Sequence, residues 1–194
     1  PSRGRPGLVC ELAREYEADM GRPLTSDNVM VTLGANQGIF AALQTFVDQD
    51  ETILLMEPYF DIYKPSVRIV GGKVVTSRLV FTGGDWSVDF QEVERVIRDN
   101  RVKVMILNTP HNPTGKVFTK QELNKIAQLV EKYDVLVISD EVYDELYYTE
   151  TRPTRLASLP GMWERCLTVG SAGKRFGVTG WRVGWLVGHQ PLVD

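Results

Sequence analysis

Val102-Lys-Val-Met-Ile-Leu107-Asn-Thr-Pro-His-Asn112-Pro-Thr-Gly115 leads, through Thr119-Lys-Gln-Glu122, to Val135-Leu-Val-Ile138-Ser-Asp140. The stretch opens and closes on short apolar runs, 102–107 and 135–138, which read as strands buried on both faces. Between them, Thr119 and Glu122 have the spacing of a capping box, in which the first and fourth side chains satisfy each other's free N–H groups. Leu123, Ile126, Ala127 and Val130 give the helix so begun one apolar face. Strand, helix and strand in this order make a parallel crossover.

The alternation continues outward. Before it, Asp89-Phe-Gln-Glu92 fits a second capping box, with Phe90, Val93, Val96 and Ile97 as the apolar face of its helix. Residues 28–33, 52–56 and 74–80 read as strands, 35–47 as a helix, and 58–69 as a helix opened by Pro58. A Gly83-Gly84-Asp85 turn follows the third of those strands. Leu8, Leu12, Tyr16 and Met20 recur every four residues and mark a first helix ending at Gly21. After the quoted stretch, Cys166-Leu-Thr-Val169 is another apolar run. The pattern implies an α/β layer architecture, with helices on both faces of a mostly parallel sheet and no internal linker.

Composition sets outer bounds. The 194 residues are 43% hydrophobic and 24% charged, enough for one domain with a buried core. A net charge of −3 without a basic cluster argues against a nucleic-acid partner. No apolar run reaches the roughly 20 residues of a membrane span. The opening Pro1-Ser-Arg-Gly-Arg-Pro6 lacks both a signal-peptide core and an initiator methionine, so the chain reads as part of a longer protein. Cys10 and Cys166 form neither a disulfide framework nor a metal site, which fits a reducing compartment, cytoplasmic or mitochondrial matrix.

In open parallel sheets, ligands bind beyond the carboxyl ends of the strands. The unusual polar residues of this chain gather there. Leu33 is followed by Gly34-Ala35-Asn36, where free helical N–H groups can hold an anion. Leu107 is followed by Asn108 and Asn112 in a proline-rich turn, and Ile138 by Ser139-Asp140-Glu141-Val142-Tyr143. After Val169 comes Gly170-Ser171-Ala172-Gly173-Lys174, with Arg182 eight residues on. A lysine on a small-residue turn, with a hydroxyl before it and a fixed cation after it, suits covalent capture of an aldehyde that carries a phosphate. Pyridoxal 5'-phosphate is such an aldehyde, and Lys174 is the candidate for its attachment. A dinucleotide-binding domain would need Gly-x-Gly-x-x-Gly after the first strand, and Gly34-Ala-Asn-Gln-Gly38 does not supply it.

The segments Asn108-Thr-Pro-His-Asn-Pro-Thr-Gly-Lys116, Ser139-Asp-Glu-Val-Tyr143 and Gly170-Ser-Ala-Gly-Lys-Arg-Phe-Gly-Val-Thr-Gly-Trp-Arg-Val-Gly-Trp185 resemble the motifs of class I/II aminotransferases, pyridoxal-phosphate enzymes of fold type I. Leu159-Pro-Gly-Met-Trp-Glu-Arg165 is most similar to the branch of kynurenine aminotransferases, glutamine transaminase K and cysteine-S-conjugate β-lyases. The resemblance implies a seven-stranded sheet in a three-layer large domain over residues 1–194. It also implies amino transfer from an L-amino acid such as kynurenine or glutamine to a 2-oxo acid, through a lysine aldimine. By position, Lys174 matches the covalent lysine that also carries the proton, and Asp140 the partner of the ring nitrogen. Tyr143 and Asn112 match the groups on the phenolic oxygen, and Asn108 lines the same turn. Phe60 matches the aromatic on the ring face; Ser171, Arg182 and the N–H groups of Ala35 and Asn36 match the phosphate ligands.

Arg175 departs from the pattern, since a small hydroxyl residue is usual after the lysine; Arg182 stands where the kynurenine branch often has lysine. The family is homodimeric, so a partner-subunit tyrosine and a small-domain arginine are expected from outside this chain, which alone should be inactive. Two alternatives share the scaffold: a cysteine-S-conjugate β-lyase, and a non-enzymatic ligand-sensing domain of a transcription regulator.

Overall fold

The computed structural model describes residues 2–148 and 152–194. In chain order it contains α1 (Pro6–Met20), β1 (Val29–Thr32), α2 (Ala35–Phe46), β2 (Thr52–Glu57), α3 (Tyr63–Ile69), β3 (Lys73–Thr82) and β4 (Asp85–Val88). Then come α4 (Phe90–Asp99), β5 (Val104–Asn108), α5 (Lys120–Lys132), β6 (Leu136–Asp140), β7 (Cys166–Ser171), α6 (Ala172–Arg175), β8 (Gly184–Val187) and α7 (Gln190–Val193). The strands form one sheet in the order β1-β8-β7-β6-β5-β2-β3-β4. The pairs β7–β6, β6–β5, β5–β2 and β2–β3 are parallel; β1–β8, β8–β7 and β3–β4 are antiparallel.

The quoted stretch is the centre of this sheet. Residues alternate between its faces, as the two-residue repeat of a strand requires. Leu54, Met56, Met105, Leu107 and Val137 pack toward α1, α4 and α5. Ile53, Leu55, Val104, Ile106 and Ile138 pack toward α2 and α3. The result is three layers with a core on each side of the sheet.

Differences from expectation are local. Among the described residues the sheet has eight strands rather than the seven expected. Asp85–Val88, preceded by a turn with positive φ at Gly83 and Gly84, folds back on β3 and extends the edge. The helix expected over 58–69 begins only at Tyr63, where the N–H bonds Phe60 O at 3.2 Å. Residues 58–62 thereby form a shoulder that carries Phe60. The box at Thr119 closes reciprocally with Glu122. Asp89 instead caps one way, accepting from Gln91 N and Glu92 N.

Beneath the α1 face lies a buried ion cluster. The Arg155 guanidinium donates to Asp19 at 2.7 Å and to Glu141 and Asp144 at 2.8 Å each, and its Cζ lies 4.3 Å from the Tyr16 ring centre. Removing one member of such a cluster strands the others without water, a loss of about 3–5 kcal/mol.

Candidate active site

Every residue singled out in the sequence as a ligand contact lines one cavity: Ala35, Asn36, Phe60, Asn108, Asn112, Asp140, Tyr143, Ser171, Lys174 and Arg182. Three further residues share it, Tyr63, Val142 and Thr179. The cavity sits at the carboxyl ends of the parallel strands. β5 and β6 end side by side at Asn108 and Asp140, and β7 reaches Val169 beside Asp140 before turning into α6.

Asp140 forms the floor, buried on the side of the sheet that faces α3. Its Oδ2 accepts the Tyr63 hydroxyl at 2.6 Å and its Oδ1 accepts Val142 N at 3.3 Å. Burial pushes its pKa from the ordinary 3.8 up to about 6; the Tyr63 bond, the Val142 N–H and the Lys174 charge pull the other way. Burial and the neighbouring carboxylate push the Tyr63 hydroxyl well up, so it is a donor at neutral pH. Tyr63 is not among the residues the sequence marks, because it lies inside the segment 58–69 whose pattern predicts one continuous helix. Its only signal was the aromatic spacing of Tyr59, Phe60 and Tyr63. In space Phe60 meets Tyr63 edge to face at 5.8 Å.

Lys174 rises opposite, in the four-residue α6, with its Nζ 5.6 Å from the Tyr143 ring centre. The Tyr143 hydroxyl accepts Asn112 Nδ2 at 3.3 Å. Asn108 is buried and works on backbone: its Nδ2 donates to Asp140 O at 2.9 Å, and its Oδ1 accepts Asn112 N at 2.6 Å. It fastens the proline turn to the end of β6. Lys116, which closes the Asn108 turn, is occupied elsewhere, donating to Trp86 O at 2.7 Å and pairing with Glu122 at 2.8 Å.

The far end of the cavity is built for an anion. α2 runs for 12 residues, and its first N–H groups receive no side-chain cap. Ser171 and Arg182 complete this end. Two glycines let the parts approach: a Cβ on Gly34, whose φ is +80°, would lie 2.6 Å from Arg182 Nη2, and one on Gly184 would lie 2.5 Å from Ala35 N. Gly173 serves the lysine turn likewise, since its Cβ would meet Thr179 Cα at 2.9 Å. The cavity thus joins an amine, a buried carboxylate, an aromatic ring and an anion cradle. That donor set fits a phosphorylated aldehyde bearing a basic ring nitrogen.

The family model for aminotransferase class I and II matches residues 1–194. Kynurenine–oxoglutarate transaminase 3 of Homo sapiens is 42% identical over 199 residues, covering 98% of this chain and 44% of the relative. N-succinyldiaminopimelate aminotransferase from Mycobacterium tuberculosis superposes with a TM-score of 0.95 at 36% identity, covering 100% of this chain and 50% of that one. Aspartate aminotransferase from Thermus thermophilus gives 0.91 at 32% identity, covering 100% and 49%. The chain spans about half the length of the relatives it matches.

Proposed function

We propose, starting from the fact that this chain belongs to the aminotransferase class I and II family, that it is the cofactor-binding large domain of a pyridoxal 5'-phosphate-dependent aminotransferase. The enzyme moves an amino group from an L-amino acid to a 2-oxo acid. Bulky donors such as kynurenine or glutamine are the substrate class that the likeness to kynurenine–oxoglutarate transaminases supports. One observation carries the reading: Lys174 and Asp140 face one cavity whose far end is the uncapped start of α2 beside Arg182.

When bound, pyridoxal phosphate supplies an aldehyde for the amine and a cationic ring that takes up electrons from the substrate's Cα–H bond. Lys174 would hold the aldehyde covalently and, once displaced by substrate, move the proton at Cα. Asp140 would hold the proton on the ring nitrogen, and a cation there returns its carboxyl toward full ionisation. Tyr63 keeps that carboxylate oriented. Phe60 would cover one ring face, while Tyr143 and Asn112 would hold the phenolic oxygen. Arg182, Ser171 and the N–H groups of Ala35 and Asn36 would grip the phosphate.

Leu33, Phe176 and Trp181 stand 68%, 66% and 74% exposed in the segments flanking the cavity mouth. Their exposure supports a homodimer with the site at the subunit boundary. An exposed Cys10 and a buried Cys166, both free, fit the cytoplasm or the mitochondrial matrix. The test is spectroscopic. The complete protein should show a visible cofactor band that Lys174→Ala abolishes; a band that survives the substitution would refute the assignment.

A further inference from the structure

Resting on the function just proposed, we propose that Arg175 and Asp144 are positioning residues whose ion pair holds the turn bearing Lys174 against the turn bearing Tyr143, and so fixes where the amine sits.

The turn after β6 has two faces. Asp140 and Tyr143 point into the cavity, whereas Glu141 and Asp144 point toward α1 and meet Arg155 at 2.8 Å each. α6 divides the same way: Lys174 lines the cavity and Arg175 turns its guanidinium into the ion cluster. There Arg175 pairs with Asp144 and with Glu15 of α1, and has Glu145 at 3.7 Å. Its side chain is 6% exposed and lies 5.7 Å from the Trp185 ring centre. Trp185 Nε1 in turn donates to Tyr16 at 2.9 Å. Asp144 is therefore shared by two arginines, one of them adjacent in sequence to Lys174, while Asp144 itself is adjacent to Tyr143.

A helix of four residues does not hold its own shape. The fixed geometry of α6 must come from contacts. Backbone bonds anchor its start, Ala172 N to Val183 O at 3.1 Å, and Thr179 Oγ1 reaches Gly173 O at 3.2 Å. The Arg175–Asp144 pair is what ties it sideways to the Tyr143 turn. A planar guanidinium suits this task because it donates to two carboxylate partners in fixed directions.

The experiment uses the complete protein, stripped of cofactor, as wild type, Arg175→Thr, Asp144→Asn, the double variant and Arg175→Lys. Two readouts are taken: the rate at which added pyridoxal phosphate becomes borohydride-trappable on Lys174, and kcat and KM for the amino donor. Each single variant should slow capture and lower kcat by about tenfold or more, with KM changed by less than about threefold. The double variant should lose clearly less than the product of the two single losses, because the Arg175–Asp144 contact is removed by both, while Asp144→Asn alone disturbs Arg155 and Arg175→Thr alone frees Glu15. Arg175→Lys should recover part of the loss. Folded variants with wild-type capture and kcat, changed only in melting temperature, would overturn the proposal. So would single effects that multiply. Should Arg175→Thr fail to fold, Asp144→Asn decides, and capture and kcat equal to wild type in that variant overturn the idea. If wild type itself traps nothing on Lys174, the proposed function fails and this inference with it. If wild type traps normally and the variants do too, this inference alone fails.

Discussion

At the scale of single residues, Asp140 carries the sharpest energetic conflict. Its carboxyl is held in a dry site with its pKa near 6, so the folded protein binds a proton that the unfolded chain, near 3.8, has already released. A raised carboxyl pKa costs stability as pH climbs from about 4 to about 6, and the full penalty persists above that. Asp140→Asn in the cofactor-free protein should therefore gain about 2–3 kcal/mol at pH 7 to 8 and almost nothing at pH 4, measured by urea unfolding. The same variant should lose cofactor affinity, since an amide cannot neutralise a ring cation. Tyr63→Phe should do the reverse, costing about 1.5–3 kcal/mol above pH 6 by removing a donor from a buried charge, and less below pH 4. Equal changes at both pH values would show that Asp140 does not titrate in this window. Asp140 was legible in the sequence as an acid following an apolar strand. Tyr63 was not, because partnership across 77 positions of sequence leaves no local trace.

At the scale of elements, the anion cradle depends on two backbones passing at close range. Gly34 permits both the left-handed φ of +80° and the approach of Arg182, so Gly34→Ala must displace either the start of α2 or the guanidinium. Gly34→Ala and Arg182→Ala should each erase most of the preference for pyridoxal phosphate over pyridoxal. That is roughly 10- to 100-fold for one charge-assisted bond, while pyridoxal capture by Lys174 survives. A retained preference, read by equilibrium titration, would place the phosphate elsewhere. The strands and helices of the sheet were legible because apolar runs and capping residues are local signals, as at Thr119. Less legible was the segment after Pro58, where the proline was read as a helix start although the chain turns there and delays α3 to Tyr63. The short β4 was hidden because Asp85-Trp-Ser-Val88 is held by pairing with β3 rather than by its own propensity.

At the scale of the whole molecule, the cavity draws on residues from Ala35 to Arg182, so nearly the entire fold serves to bring a few strand ends together. The joint order of those polar residues was readable in the sequence. The ion cluster on the opposite face of the same turns was not, since Arg155, Glu141, Asp144 and Asp19 meet only after the sheet forms. If a second subunit covers the exposed rim, Trp181→Glu in the complete protein should shift sedimentation toward monomer; an unchanged profile would move the interface elsewhere. Whether one small molecule is bonded to Lys174 at the Asp140 cavity is read by borohydride reduction of the complete protein, followed by proteolysis and mass mapping of the pyridoxyl adduct. The adduct is predicted on the peptide containing Lys174; an adduct on Lys116 or another lysine, with Lys174 unmodified, would contradict the account.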